Sequence, residues 1–238
     1  MAGGKMGPVV RVGDSVRRKS GEWSPAVHRL LRQCRASGMT SVPEVRDLTI
    51  DGHEVLGFIR GDVPAYPMPE WVWSEYALVS SVRLLREFHD ASVGCDPAGP
   101  WRSPVHESVE VICHNDFAPY NLVYNGGQAV GVIDFDFASP GSRLWDLAYL
   151  AYRIVPLSSD AADGFTAADR DRRLSLLLRV YGTSTTPAEL RAMLAQRLLE
   201  LAELAETMAE TISNRELRDH AALYRKDAAV ATTTSASS

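Results

Sequence analysis

Three polar residues, His114, Asp116 and Asn121, fall within the short stretch HNDFAPYN. An aspartate can orient a hydroxyl or accept its proton, and an amide oxygen is a hard ligand for a small cation. Asp116 is therefore a candidate general base and Asn121 a candidate metal ligand. For His114, a structural role in holding the loop is favoured over proton transfer. The alternative for the whole stretch is a polar loop whose Asp and Asn only satisfy backbone amides.

The residues around this stretch predict a β-hairpin within 109–136. Two short apolar runs flank the turn signal NGG, which is typical of a hairpin connection. Asn121 precedes the first strand and Asp134 follows the second, so the two side chains are expected to meet, with opposed Cβ atoms about 5 Å apart. Magnesium usually takes one or two carboxylates and completes its shell with water and phosphate oxygens. The hairpin therefore predicts a magnesium half-site, while Asp136 could face either the metal or solvent.

The segment HNDFAPYNLVYNGGQAVGVIDFDFASPGSRLWDLAY strongly resembles the aminoglycoside phosphotransferase and choline kinase family, the small-molecule branch of the kinase-like fold. The catalytic-loop pattern of that family matches at His114, Asp116 and Asn121. The resemblance implies that Asp134, in VIDFD, is a magnesium ligand and that Asp146, in RLWDLAY, braces the catalytic loop. It also implies Mg²⁺, ATP or GTP as the phosphoryl donor, and a small-molecule hydroxyl as the acceptor.

The resemblance is less specific toward the N-terminus and weak beyond residue 155. EVLGFIRGDVP is similar to the strand and hinge between the two lobes, which implies that backbone groups near Phe58 and Ile59 meet a purine. The chain has no G-x-G-x-x-G loop, and the family's lysine is replaced by Arg18 or Arg17, whose planar fork would meet phosphates differently. The helix PAVHRLLRQCR offers no glutamate to pair with that cation.

The implied fold is α+β and two-lobed, like that of protein kinases, with a small β-rich N-terminal lobe and a larger, mostly helical C-terminal lobe. The expected organisation is a disordered tail at 1–8, a shortened N-terminal lobe at 9–60, a C-terminal lobe at 61–229 that carries the hairpin 109–136, and a disordered tail at 230–238.

Local patterns predict the individual elements of both lobes. Ser24 is expected to cap a helix that Gly38 ends, and Trp71 to open the apolar face of a helix over residues 70–91. Capping boxes at Thr186–Glu189 and Ser213–Glu216 predict the starts of two late helices. The first of these carries an apolar side and an acidic stripe, which is either a solvated face or a wall that attracts a cationic acceptor; the stripe comprises Glu200, Glu203, Glu206 and Glu210.

Composition restricts the classes of partner. The net charge of −5 and pI of about 5.7 give no global positive field for nucleic acid, and no apolar run approaches the roughly 20 residues that span a bilayer. Three cysteines without metal-ligand spacing favour a reducing cytoplasm. The sequence therefore predicts a cytoplasmic protein with no nucleic-acid or membrane partner and leaves the oligomeric state open.

Three functions compete. The leading interpretation is a phosphotransferase that acts on a small molecule, for example an aminoglycoside-like compound or an amino alcohol. The second is a degenerate kinase-fold binding protein, such as an immunity or regulatory factor, with weak or no nucleotide binding. A metal hydrolase is disfavoured because no histidine ligands accompany Asp134 and Asp136. A protein kinase is disfavoured because no A-P-E element follows them.

Overall fold

The computed structural model describes residues 9–159, 164–212 and 215–235, which fold into the predicted α+β arrangement of a small sheet-containing lobe and a larger helical lobe. The tail predicted at 1–8 lies outside the described residues, as do Ser213 and Asn214 of the second capping box and residues 236–238.

The small lobe is one antiparallel sheet covered by a helix. Its strand order is β1-β2-β4-β3, and its elements are β1 (Val10–Val12), β2 (Ser15–Lys19), α1 (Ser24–Ala36), β3 (Val45–Leu48) and β4 (His53–Gly57). Gly13, at φ 61°, makes the two-residue turn between β1 and β2 possible. The register of β2 and β4 sets Arg18 directly opposite Glu54.

The predicted cap of α1 is wrong. Ser24 is the first residue of the helix, and its hydroxyl accepts a hydrogen bond from the Gly21 N–H at 3.0 Å. Trp23 precedes the helix in an αR conformation without a side-chain cap, while Pro25 occupies the first turn, as its fixed φ favours.

The large lobe begins with a 3₁₀ turn, Glu70–Trp73, followed by α2 (Glu75–Ser92). The predicted helix is interrupted because Ser74 adopts an extended conformation and its side chain caps α2 by accepting the Ala77 N–H. Trp71 is consequently 36% exposed and outside the core, whereas Phe88 on α2 is fully buried. Burying such a side chain stabilises the fold by about 1.5–3 kcal/mol.

Two short antiparallel pairs lie between α2 and the later helices. Strand β5 (Val111–Cys113) pairs with β8 (Ser139–Gly141), and β6 (Leu122–Asn125) forms a hairpin with β7 (Gln128–Val132). Helix α2 supports the hairpin, since Ser80 Oγ accepts the Ala129 N–H at 3.0 Å. The backbones of Asp62 and Tyr124 exchange two hydrogen bonds of 2.8 Å, which attach the segment after β4 to the hairpin.

The remaining helices are α3 (Arg143–Ile154), α4 (Ala167–Tyr181), α5 (Pro187–Ile212) and α6 (Arg215–Ser235). The capping box at the start of α5 is confirmed, because Thr186 Oγ1 accepts the Glu189 N–H and the Glu189 carboxylate accepts the Thr186 N–H. Helix α6 continues to Ser235 and so overlaps the start of the C-terminal tail predicted at 230–238. None of the described helices has the length and apolar character needed to cross a membrane.

Candidate active site

Asp146 fixes the backbone of the loop between β5 and β6. Its Oδ2 accepts the His114 N–H at 2.6 Å and its Oδ1 accepts the Asn115 N–H at 2.9 Å. The carboxyl is fully buried in the first turn of α3. Burial raises the pKa of Asp146, but the hydrogen bond from His89 and the nearby charge of Arg197 outweigh burial, so the pKa is lowered. An ionised Asp146 therefore holds two successive loop amides, which is the bracing position that the family resemblance implied.

His89 on α2 supports Asp146 from behind. Its Nε2 lies 3.2 Å from Asp146 Oδ2, and its Nδ1 lies 2.6 Å from the Tyr181 hydroxyl. Burial lowers the pKa of His89. The neutral ring therefore donates from Nε2 to Asp146 and accepts the Tyr181 O–H at Nδ1.

His114 uses both ring nitrogens within the loop. Its Nε2 donates to the Ile133 carbonyl at 2.9 Å, and its Nδ1 accepts the Asp116 N–H at 3.2 Å. The ring is fully buried. This geometry suits a residue that ties the loop to the end of β7, and it leaves neither nitrogen for proton transfer.

Asn115, which sequence reasoning did not single out, is in the left-handed region at φ 64°. Its Nδ2 donates to the Phe137 carbonyl at 2.8 Å, and its Oδ1 accepts the Trp145 Nε1–H at 3.0 Å. Arg197 of α5, which is 2% exposed, donates to both the Asn115 side-chain oxygen and its backbone carbonyl. A polar side chain that tolerates positive φ thus joins the loop to a late helix.

Asp116 is partly exposed at the mouth of the loop and is oriented by two donors. Its Oδ1 accepts the Tyr120 hydroxyl at 2.7 Å and its Oδ2 accepts Asn121 Nδ2 at 2.8 Å. Burial raises the pKa of Asp116, and the Tyr120 hydrogen bond only partly opposes that rise. A carboxylate with fixed orientation and raised basicity can accept a proton from a bound hydroxyl.

The hairpin brings Asn121 and Asp134 together as its spacing predicts. The Ile133 N–H donates to the Asn121 carbonyl at 2.9 Å, which sets Asp134 beside the start of β6. Asp134 is held at φ 64°, and its side chain is 41% exposed. A positive φ at a non-glycine residue is a strain often stored at functional sites.

The donors at this point suit magnesium. Asn121 directs Nδ2 toward Asp116, and among the described residues nothing hydrogen-bonds its Oδ1, while Asp134 contributes an exposed carboxylate. Among the described residues, no group of three or more His, Cys, Asp or Glu side chains is placed so that it could hold a metal ion. Magnesium does not require such a group, because one or two protein oxygens and phosphate oxygens suffice.

Arg18 reaches this site from the small lobe. Its Nη2 lies 2.5 Å from Asp136 Oδ1 and its Nη1 lies 3.4 Å from Asp134 Oδ1. The neighbouring Arg17 instead pairs with Asp51 at 2.7 Å on the exposed side of the sheet. Arg18 is therefore the cation that faces the hairpin. Asp136, whose orientation was left open, is buried against it, and burial raises the pKa of Asp136.

The acidic side chain that pairs with Arg18 lies on strand β4 and not on helix α1, where the family pattern would place it. Arg18 Nε donates to Glu54 Oε1 at 2.5 Å, and His28 Nε2 lies 2.5 Å from Glu54 Oε2. Glu54 is 1% exposed. Burial raises its pKa, but the His28 hydrogen bond and the Arg18 charge prevail, and the pKa is lowered. Helix α1 lacks a glutamate, yet it contributes His28, and β4 provides the carboxylate that positions Arg18.

The residues of the predicted purine contact, Phe58 and Ile59, lie in the segment that follows β4. The Phe58 N–H donates to the Asp14 carbonyl at 2.8 Å, and Arg11 covers the Phe58 ring at 3.8 Å. The Phe58 amide is therefore engaged within the small lobe. Ile59 lies against β7, where a Cβ on Gly131 would approach Ile59 Cγ2 to 2.7 Å. The Ile59 backbone is left as the remaining candidate for the hinge contact.

Two glutamates of the acidic stripe on α5 have side-chain partners. Glu200 lies 2.9 Å from His106, and Glu206 pairs with Arg225 of α6. The apolar side of the same helix also differs from expectation, because Leu204 is 49% exposed.

Some of the residues near the site that the sequence analysis did not single out had a recognisable signal in their spacing along the chain. Tyr120 lies four residues after Asp116, His89 lies within the helix RLLREFHDA, and Arg153 lies one helical turn after Tyr149. Glu54 had no local signal, because only the register between β2 and β4 sets it opposite Arg18.

A family model described as the phosphotransferase enzyme family matches residues 95–192, which include the catalytic loop and the hairpin. A relative named trifolitoxin immunity protein, from Rhizobium leguminosarum bv. trifolii, is 34% identical over 196 residues, covering 77% of this chain and 74% of its own.

Solved structures extend the similarity to the fold. A choline/ethanolamine kinase family protein from Mesorhizobium loti superimposes with a TM-score of 0.62 at 17% identity, covering 96% of this chain and 89% of its own. The gentamicin complex of APH(2")-IIa gives a TM-score of 0.56 at 14% identity, covering 89% of this chain and 84% of its own. The predicted two-lobed, kinase-like fold is thereby confirmed.

Proposed function

Because the chain belongs to the phosphotransferase enzyme family, the group of aminoglycoside phosphotransferases and choline/ethanolamine kinases, we propose that it transfers the terminal phosphoryl group of ATP or GTP to a hydroxyl of a small molecule. The observation that carries the proposal is the convergence of Asp116, Asn121 and Asp134 at the open end of one hairpin, opposite Arg18. Folding alone does not require an oriented carboxylate, a free amide oxygen and a strained aspartate at one point.

On the donor side, Asn121 Oδ1 and Asp134 would hold magnesium, which when bound supplies charge neutralisation to the phosphate oxygens. Arg18 would bind those oxygens with its planar fork, and Glu54 fixes the direction of that fork through Nε. The contact between Arg18 and Asp134 is long, at 3.4 Å, so it can yield to a phosphate at little cost.

On the acceptor side, Asp116 orients the hydroxyl in line with the terminal phosphate. The acceptor oxygen forms a bond to phosphorus, the bond from phosphorus to the bridging oxygen breaks, and the nucleoside diphosphate leaves. The hydroxyl proton passes to Asp116, whose raised pKa favours that transfer. Tyr120 and Asn121 keep the carboxylate in place, so positioning provides most of the acceleration.

The first test is thermal unfolding of the full chain with millimolar Mg-ATP or Mg-GTP. Ligand at a hundred times its Kd stabilises by about 2.7 kcal/mol, which for a chain of this length raises Tm by roughly 5–11 °C. Asp134→Asn should remove the magnesium-dependent shift. Asp219→Asn, the same change on the exposed face of α6, should retain it. Absence of a shift with both nucleotides in the wild type would refute the proposed donor site.

A second candidate function follows from the relative named for immunity to trifolitoxin. The second candidate is an immunity or regulatory factor that acts by association alone, as a kinase-fold protein that binds nucleotide weakly or not at all. The replacement of lysine by an arginine already held by three carboxylates favours that alternative. Unfolding data separate the two candidates, because only the phosphotransferase requires Mg-nucleotide binding that depends on Asp134.

We also propose a cytoplasmic location. All three cysteines are free and buried, and burial raises the pKa of each. Such thiols are unreactive, which suits a reducing compartment that contains nucleoside triphosphates.

A further inference from the structure

A chain of hydrogen bonds leads from Asp116 to an arginine on α3. The Tyr120 hydroxyl donates to Asp116 Oδ1 at 2.7 Å, the Tyr120 and Tyr149 hydroxyls lie 2.9 Å apart, and Arg153 Nε lies 3.4 Å from the Tyr149 hydroxyl. Arg153 is half-buried rather than enclosed. A permanent positive charge therefore lies two tyrosine hydroxyls away from the carboxylate that would receive the acceptor hydroxyl.

Arg153 is poorly paired for an arginine in such a position. Among the described residues, its hydrogen bonds go only to the hydroxyls of Tyr149 and Tyr224, both at 3.4 Å, which is longer than a normal N–H···O bond. Within the part of the chain that the structure describes, no carboxylate lies within ion-pair distance of it. A guanidinium has five N–H donors, so most of the Arg153 donors are available to a ligand.

Arg173, a structural arginine in the same lobe, makes shorter hydrogen bonds than Arg153 does. Arg173 is 1% exposed and donates to the backbone carbonyls of Val155, Trp73 and Ile154 at 2.7–3.1 Å. Asp227, a buried carboxylate of α6, does not neutralise Arg153, because it accepts hydrogen bonds from Tyr152, Ser158 and Ser159 instead.

The guanidinium of Arg153 already makes cation–π contacts with the neighbouring aromatic rings. The guanidinium carbon lies 4.6 Å from the Tyr152 ring centroid and 5.5 Å from that of Tyr149. A cationic acceptor would compete for these rings and meet a like charge. An anionic group would instead complete a charge-assisted, bidentate pair with the free edge of the guanidinium.

We propose that the acceptor carries an anionic group, a carboxylate or a phosphate, that Arg153 binds while the acceptor hydroxyl reaches Asp116. The inference rests on the proposed function and specifies its substrate class, which is a hydroxy acid or a hydroxyalkyl phosphate rather than an aminoglycoside or an amino alcohol. The Tyr224 hydroxyl accepts a hydrogen bond from Arg153 and can donate its own hydrogen to the same anionic group, whereas the Tyr149 hydroxyl donates to Tyr120.

The test uses matched sets of hydroxy compounds built on butanol and on phenylethanol. Each set contains the carboxylate, the phosphate monoester, the uncharged amide and the amine on the same carbon skeleton. Calorimetric titration of the full chain without nucleotide is expected to show at least tenfold tighter binding of an anionic member than of the amide. The carboxylate and phosphate arms identify which anion is recognised.

Variants of Arg153 assign the preference to this residue. Arg153→Gln should lose at least tenfold in affinity for the anion and leave amide binding unchanged, while Arg153→Lys should retain part of the preference. Arg179→Gln, an equal charge change on the exposed face of α4, should behave as the wild type. Circular dichroism of each variant verifies the fold.

Either of two results would overturn the inference. One is that the wild type binds the amides or amines as tightly as the anionic compounds or more tightly, or binds no anionic compound at all. The other is an anion preference that survives in Arg153→Gln. The proposed function is judged separately by Mg-nucleotide stabilisation, so failure of the donor site and failure of the anion site are distinguishable.

Discussion

Removing the charge of Glu54 is the perturbation with the clearest structural expectation. Glu54 is almost fully buried and accepts two short hydrogen bonds, from Arg18 and from His28. Glu54→Gln keeps the volume but removes the charge and replaces one carboxylate oxygen by an NH2 group, which cannot accept the hydrogen bond that this oxygen now accepts. The substitution therefore tests whether a strand carboxylate orients Arg18.

The magnitude follows from the hydrogen bonds that the substitution breaks. A hydrogen bond to a charged group contributes about 1.5–3 kcal/mol, and the substitution removes roughly one of them. The larger loss of about 3–5 kcal/mol for an unpaired buried ion is not expected, because Arg18 keeps Asp136 at 2.5 Å. Tm should therefore fall by roughly 3–12 °C. Mg-nucleotide affinity should fall about tenfold as Arg18 relaxes toward Asp136.

A double-mutant cycle with Arg18→Gln is the appropriate assay. Urea unfolding of the wild type, both single variants and the double variant should give a coupling energy above about 1 kcal/mol, since the two side chains are in contact. Arg17→Gln is the matched control, because the adjacent side chain pairs with exposed Asp51 and should leave nucleotide affinity unchanged. Additive effects of the two substitutions, or equal loss of affinity in Arg17→Gln, would refute the reasoning.

Three further outcomes are expected. Asp116→Asn should lower kcat by about 10²–10⁴-fold while Mg-nucleotide stabilisation is retained; loss of that stabilisation in a folded variant would contradict the role given to Asp116. Because the Tyr120 hydrogen bond lowers the pKa of Asp116, Tyr120→Phe should move the acidic limb of the kcat–pH profile to higher pH, and an unchanged limb would contradict the assignment. Burial lowers the pKa of His89, so the unfolded chain binds the proton first as pH falls below about 6.5, and stability declines there by up to about 1.4 kcal/mol per pH unit. Urea unfolding between pH 7 and pH 5 should show a shallower decline for His89→Gln than for the wild type or for His53→Gln, whose side chain is one-third exposed; equal slopes would count against a neutral His89.

The hairpin of the candidate site could be predicted from sequence because its geometry is local. Asn121 and Asp134 are adjacent since a short hairpin separates them, and the hairpin is encoded by its own turn residues and apolar runs. Within the loop from His114 to Asn121, the Asp116 carboxylate and the Asn121 amide hydrogen-bond to each other, which their spacing in the sequence allows. The contacts of the same loop with Asp146 and Arg197 are long-range and had no local signal.

The small lobe was harder to predict because its geometry depends on pairing between distant strands. Glu54 meets Arg18 only through the register of β2 and β4, which α1 and β3 separate in the sequence. The Phe58 amide was expected in the hinge, yet the turn after β1 provides its acceptor. The residue type of Ser24 predicted a helix cap, but Trp23 occupies the position before α1. The Ser24 hydroxyl instead accepts a hydrogen bond from the Gly21 N–H. Such choices depend on tertiary contacts that local propensity does not contain.

The contact between Arg197 and Asn115 has a consequence for biosynthesis. The arginine follows the asparagine by 82 positions, and it holds the residue whose left-handed conformation shapes the catalytic loop. During synthesis from the N-terminus, the hairpin and α3 leave the ribosome well before α5 does. The nascent chain can therefore form the hairpin early, but the loop gains its last constraint only after α5 has emerged and docked. Release of a chain that stops after α3 would leave Asn115 without Arg197 and Asp116 on a less firmly held loop.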